Sequence, residues 1–405
     1  MTLRSRPGTP PRHGEILSSL AHVCRETGRA GKAERLCHRA LALHRKAGNR
    51  NSEGVTLGTL GSVLYETGRI GPAERCFEQA LRALRKVRSP LAEAIVLGST
   101  ANLLKGIGQM RRAEASYVRA MAIFRRIGDR RMVGVTLGNL ATLYSETGRI
   151  GAAERSHKRA LAIHRDVGNR RFEGVALSGL GLIYQETGRH APAERSFAEG
   201  LRILREVGDR RFEGVLLGNF ANLLAETGRP EAAEQSYGLA LDLDREVGNR
   251  HSEAVALGNL AVLQRNQGRL ESAERCFVQA LRIHRDIRNR RGEGIVLGTL
   301  AGIYRDTGRG GKAQRAYEAA LAIHREVRNR RFLGVHLCDQ ALLHLGEGRP
   351  AEAGRQWREG AALVRELGDV AALQTLTAEM LAACGKAGAP VWTEVPGSGE
   401  IARRR

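Results

Sequence analysis

Apolar residues along the chain fall where they share one face of an α-helix, and the whole pattern recurs at a fixed interval. The glycine of Glu-Thr-Gly-Arg, or of its variants, stands at Gly28, Gly68, Gly108, Gly148, Gly188, Gly228, Gly268, Gly308 and Gly348, always forty residues apart. If that glycine is slot 15 of each unit, slot 4 is Leu in all nine units, from Leu17 to Leu337, and slot 20 is always Ala, from Ala33 to Ala353. Slot 8 is Ala or Gly throughout. Slot 24 carries a ring at Phe77, Tyr117, Phe197, Tyr237, Phe277, Tyr317 and Trp357, with Cys37 and His157 as exceptions. The spacings 4, 7, 8, 11 and 20, 24, 27, 28 both follow the helical period, so each unit is predicted to be two amphipathic helices. Small residues at slots 8, 20 and 27 let the backbones approach, and the slot 24 ring fills the space that remains.

The punctuation agrees. The slot 15 glycine suits the left-handed position that ends a first helix, and Gly48, Gly128, Gly168, Gly208, Gly248 and Gly368 end second helices. Asn49, Asp129, Asn169, Asp209, Asn249 and Asp369 follow them as N-caps. Ser89-Pro90 offers a cap and a first-turn proline between units two and three. Arg288 and Arg328 replace the expected glycine, which costs ~1 kcal/mol if the backbone stays left-handed.

These positions carry a resemblance. Leu at slots 4 and 7, a small residue at 8, Tyr at 11, Gly at 15, Ala at 20, a ring at 24 and Ala at 27 resemble the tetratricopeptide repeat. The forty-residue length is similar to the arrays of the Pins/LGN adaptors and kinesin light chain, and a bacterial member is expected. The resemblance implies an all-α, right-handed α-solenoid of nine helix-turn-helix repeats with a C-terminal capping helix. The expected divisions are a disordered N-terminus over 1–13, repeats over 14–368, the capping helix over 369–384 and a disordered tail over 385–405, rich in Gly, Pro and Arg.

Composition narrows the function. The chain of 405 residues carries 65 Lys+Arg against 43 Asp+Glu, a net charge of +22. Lysine occurs only at Lys32, Lys46, Lys86, Lys105, Lys158, Lys312 and Lys386, so the cations are mostly arginine, a bias that GC-rich coding also produces. Six scattered cysteines form no C-x-x-C pair and indicate neither a disulfide framework nor a zinc site. With no secretory signal and no apolar run of membrane-spanning length, a cytoplasmic protein is expected.

Candidate chemistry is sparse. Gly311-Lys312 lacks the upstream glycine of a P-loop, Asp306 standing there, and Ala313 replaces the residue that would touch magnesium. His44, His164, His284 and His324 share slot 31 on the second helix, where His284 and His324 are close enough to approach each other, but a metal needs more ligands. No cofactor and no enzymatic activity are expected.

By the resemblance, the first helices line a long open concave trough, with slots 5, 6, 9, 12 and 13 facing it. The expected peptide-binding residues are Asn102, Asn139, Asn219, Asn222, Asn259, Arg265 and Arg305. Asparagine offers both donor and acceptor to a peptide backbone, and the arginines select acidic side chains. The paired arginines Arg130-Arg131, Arg170-Arg171, Arg210-Arg211, Arg290-Arg291 and Arg330-Arg331 are placed on the rims, outside the trough. The expected function is a protein-binding scaffold or adaptor in bacterial regulation. The alternative is nucleic-acid binding along the arginine rims, driven by counterion release.

Overall fold

The structure, a computed structural model, describes residues 11–390. Residues 1–10 and 391–405, most of both expected terminal segments, lie outside the described residues. The described chain is nineteen α-helices, beginning with Pro11–Glu26 and closing with Val370–Ala387. The first helix thus begins within the segment expected to be disordered. The last runs three residues past Cys384 and ends on Gly388 in the left-handed conformation. Eighteen helices form nine hairpins, and each helix from Ala30–Lys46 to Pro350–Glu366 is seventeen residues long. No described helix is long and apolar enough to cross a membrane.

The turns follow from glycine. At Gly148 the backbone is left-handed (φ 72°), Gly148 N–H reaches the Ser145 carbonyl at 2.8 Å and Arg149 N–H reaches the Tyr144 carbonyl at 2.8 Å. That pairing satisfies carbonyls the ending helix would otherwise leave open. Arg88, Arg288 and Arg328 adopt the same conformation with φ of 52–57°, so the array keeps its turn geometry at the cost of backbone strain. Asn49, Asp129, Asp209, Asn289 and Asp369 accept from backbone N–H groups as caps. Ser89 and Asn169, both expected to cap, make no side-chain cap bond, although Pro90 does occupy the first turn. Asn249 instead donates to Asp244 at 3.0 Å.

Within a unit the slot 24 rings are the largest core groups. Phe77, Tyr117, Phe197, Tyr237 and Tyr317 are at most 2% exposed, packed among alanines. Between units, arginine and glutamate form two regular ladders. The slot 16 arginine grips the slot 21 glutamate of the preceding unit through both guanidinium nitrogens, as in Arg229 with Glu194 at 2.9 Å and Arg309 with Glu274 at 3.0 and 2.7 Å. A second ladder joins the slot 32 arginine to the first turn of the next unit: Arg165 Nε donates to Glu173 at 2.9 Å and Arg205 Nε to Glu213 at 2.8 Å. Charge-assisted paired bonds fix orientation as well as adding energy, so these ladders help set the rotation from one unit to the next.

That rotation closes the ribbon on itself. The turn of the first unit meets the junction after the seventh, six and a half units later, where a β-carbon on Gly28 would lie 3.4 Å from Ile287 Cγ2. The second unit meets the eighth, at the start of its first helix and at the junction that follows it: a β-carbon on Gly68 would lie 2.9 Å from both Arg290 Cβ and Val327 Cγ1. Arg211 donates to Glu26 at 2.8 Å and Arg291 to the Gly106 carbonyl at 2.6 Å across the same seam. Arg328 reaches Glu74 at 3.6 Å. Glu74 is free for it because Gln109 stands where other units place the ladder arginine. The trough expected to be open along its length is therefore covered where these turns meet.

Candidate binding groove and chamber

The inner wall is built by the first helix of each hairpin. Those helices begin at slot 37, as in Arg210–Glu226 and Arg250–Asn266, not inside the preceding loop. Slot 38 then lies on the same face as slots 2, 5 and 9 of the following unit, at helical spacings of four, three and four. Slot 2 is β-branched and apolar in eight consecutive units, from Val55 and Ile95 to Ile295 and Val335.

Two cavities open on this wall, and the same slots line both. One, of about 210 Å³, is bounded by Val135, Asn139, Thr142, Val175, Ser178 and Leu182. The other, of about 650 Å³, has Val255, Asn259, Val262, Ile295 and Thr299 on one turn of the superhelix and Arg25, Glu26, Tyr65 and Glu66 on the turn that covers it. It is a chamber between turns rather than a stretch of trough.

The sequence-predicted residues divide by partner. Asn139 and Asn259 line the two cavities. Asn219 is half-buried between them and donates to Ser178 at 3.3 Å. Asn102 and Asn222 accept from the hydroxyls of Tyr117 and Tyr237, the slot 24 rings of their own units. Their acceptor oxygens serve the core. Arg265 pairs with Asp306 at 3.2 Å, and Arg305 pairs with the same carboxylate at 2.8 Å. His284 and His324 do not meet each other: His284 packs beside His251, and His324 Nε2 lies 3.0 Å from His336 Nδ1. No three His, Cys, Asp or Glu side chains among the described residues gather as a metal would require.

Arg211 and Arg291, assigned by sequence to the rims, line the chamber. Other rim arginines are occupied by carboxylates, Arg171 by Asp209 at 2.6 Å and Arg331 by Asp369 at 2.7 Å. Desolvation by the chamber walls raises the Glu66 carboxyl above its ordinary value, against the field of Arg25, although the side chain keeps 46% of its surface open to solvent. Burial also raises Glu26, but the hydrogen bond from Arg25 and the charges of Arg25 and Arg211 outweigh it and hold that carboxyl below the usual range.

A model of the tetratricopeptide repeat matches residues 13–86, 93–166 and 212–286, more than half of the chain, and a second such model matches 334–359. The chain belongs to the tetratricopeptide repeat family. None of the curated proteins compared with it matches in sequence. Among solved structures it is similar to a Rap protein complexed with Competence and Sporulation Factor, at a TM-score of 0.51 and 14% identity over 93% of this chain and 99% of that one. The apo form of the quorum sensor NprR from B. thuringiensis is similar at a TM-score of 0.51 and 14% identity, over 87% of this chain and 99% of that one. At such identities the likeness is one of fold.

For a tetratricopeptide repeat array, the smaller cavity has an unusual wall. His157 takes the slot 24 place of a Phe or Tyr, and its ring projects so far that a β-carbon on Gly179 of the next unit would lie 2.2 Å from His157 Cε1. Burial lowers the imidazole to about 4, so it is neutral at neutral pH. Its Nδ1 is buried without a hydrogen-bond partner among the described residues, as is that of His164 beside the same cavity.

Proposed function

We propose that this chain is a non-enzymatic scaffold, cytoplasmic, that binds a peptide or protein segment along its concave wall. One observation carries the reading: two cavities three units apart are lined by the same slots, with an apolar β-branched residue at slot 2, a small residue at slot 5 and an asparagine at slot 6 in each, Asn139 and Asn259. A periodic apolar ladder beside periodic amide groups suits a chain that itself has a repeating backbone and alternating side chains. The wall is prestacked, so binding orders little of the host and many modest contacts suffice. Asn139, Asn219 and Asn259 are the polar contacts, with Arg265 and Arg305 beside them. Asn102 and Asn222 contribute through their free amide N–H groups. From the quorum sensor and the Rap protein that share the fold, we carry over only a regulatory role.

Photo-crosslinking tests this. A benzophenone amino acid at Val135 or Val255 is expected to capture partners from a lysate of the native organism, while the same group at the exposed convex positions Arg159 or Arg282 does not. Equal capture from both faces defeats the proposal. The double variant Asn219→Ala with Asn259→Ala is expected to weaken the captured partner's binding with helicity unchanged. Nucleic-acid binding is the less favoured reading, because several rim guanidiniums already face carboxylates, as Arg171 does Asp209 and Arg331 does Asp369. Short oligonucleotides are accordingly expected not to bind near roughly 150 mM salt.

A further inference from the structure

The chamber between the two superhelical turns contains polar groups whose needs the protein does not meet. Arg25 Nε and His284 Nδ1 are buried with no hydrogen-bond partner among the described residues, although Arg25 Nε lies 3.8 Å from Glu66 and its terminal nitrogen is bonded to Glu26; His284 is only 3% exposed. Arg291 gives an N–H to the neutral Gly106 carbonyl and, among the described residues, forms no ion pair. Buried donors and charges left in this state are costly, so they mark a place that an outside group would satisfy. Three guanidiniums, Arg25, Arg211 and Arg291, line the chamber against two carboxylates, Glu26 and Glu66, which leaves an excess of positive charge. The rest of the lining is largely aliphatic, with Val255, Val262 and Ile295 on the concave wall. Its volume of about 650 Å³ lies within the range of small-molecule pockets.

We propose that this chamber binds a small amphiphilic anion, a carboxylate on an apolar body. The head pairs with Arg291 and Arg25, and the body lies on Val255, Val262 and Ile295. The inference rests on the concave wall being the binding face and adds a second class of ligand at one place along it. Because the walls come from the first two units and from the sixth to eighth, the bound anion ties the turns together. The carboxylate can belong to a free aliphatic acid or to the end of an apolar peptide.

Calorimetry on the full chain with paired probes decides. Octanoate is expected to bind about tenfold or more tighter than octanamide, the margin of one charge-assisted hydrogen bond. Arg291→Met is expected to erase that preference while octanamide binding persists. Arg25→Met, checked for helicity, serves as a second variant should the first unfold. Val262→Trp fills the chamber and is expected to block both probes. The capped peptide Ac-Val-Leu-Val, as free acid and as amide, forms the second pair. A preference confined to this pair assigns the carboxylate to a peptide terminus, and one confined to octanoate assigns it to a free acid. Equal affinity within both pairs, or no binding by either, overturns the proposal. If crosslinks at Val135, in the other cavity, survive that outcome, the concave reading stands and only the chamber ligand is wrong.

Discussion

Replacing His157 with Phe restores the residue type that six of the nine units carry as Phe or Tyr at slot 24, and the structure gives the effect a pH signature. The imidazole is 7% exposed, and burial alone lowers it from 6.5 to about 4. A base with a depressed folded-state value leaves stability unaffected above 6.5, where both folded and unfolded chains hold it neutral. As pH falls below 6.5 the unfolded chain takes up the proton first, and stability is lost until about pH 4, where the folded chain is protonated too. At pH 5 the loss amounts to about 2 kcal/mol. Phe removes it, and at every pH also removes a buried nitrogen without a partner, worth about 1–3 kcal/mol. Urea denaturation followed by circular dichroism at pH 8 and pH 5, with hydrogen exchange in Ile150–Asp166 to localise the change, measures both terms. His157→Phe is expected to stabilise at pH 8 and to stabilise by a further ~2 kcal/mol at pH 5. The same increment at both pH values would show that the ring titrates normally and would refute the assignment of a buried neutral histidine.

Other outcomes follow from the turns and ladders. Arg88→Gly relieves a left-handed arginine and is expected to raise stability by about 1 kcal/mol in the same denaturation assay. Gly68→Ala is expected to lower it by ~2 kcal/mol or more, because a left-handed backbone (φ 80°) and close contacts with Arg290 and Val327 both oppose a β-carbon. A double-mutant cycle on Arg229 and Glu194, both more than two-fifths exposed, is expected to give a coupling below about 1 kcal/mol despite the paired geometry.

Local rules made the repeat legible, because each of its signals acts within one or two helices. Gly148 needs a left-handed turn wherever the chain goes next, and Phe197 needs small neighbours from its own hairpin. The inner face was partly legible. Slots 5, 6 and 9 line both cavities, but slot 2 went unnoticed and the arginines at slot 38 were assigned to the rims, although the caps at slot 36 already put both inside the first helix. With the helix begun at its slot 36 cap, Arg211 and Arg291 share the face of Val215 and Ile295 at helical spacing, a signal that was present. Asn102 and Asn222 could not be separated from Asn139 by residue type; what distinguishes them is a tyrosine hydroxyl fifteen residues on. The covered chamber was not legible at all. It depends on the small rotation between units summed over six and a half of them, which no single spacing encodes. Only in hindsight does Gln109, which frees Glu74 for Arg328, look like a trace of the seam.

That seam, where the first turn of the superhelix closes over the inner wall of the seventh and eighth units, underlies both the chamber and its ligand. Spin labels at Gly31→Cys and Arg288→Cys read it directly, in a chain whose half-buried Cys76 and Cys276 are replaced by Ser; the other four cysteines are buried. A β-carbon on Gly31 would lie 3.7 Å from Arg288 Cζ, and Arg288 already carries a side chain in its left-handed conformation. The account predicts one narrow distance distribution, at about the 8–10 Å of packed helices plus the length of the labels. A broad distribution centred several-fold farther would mean an open ribbon, with no covered chamber and no seam.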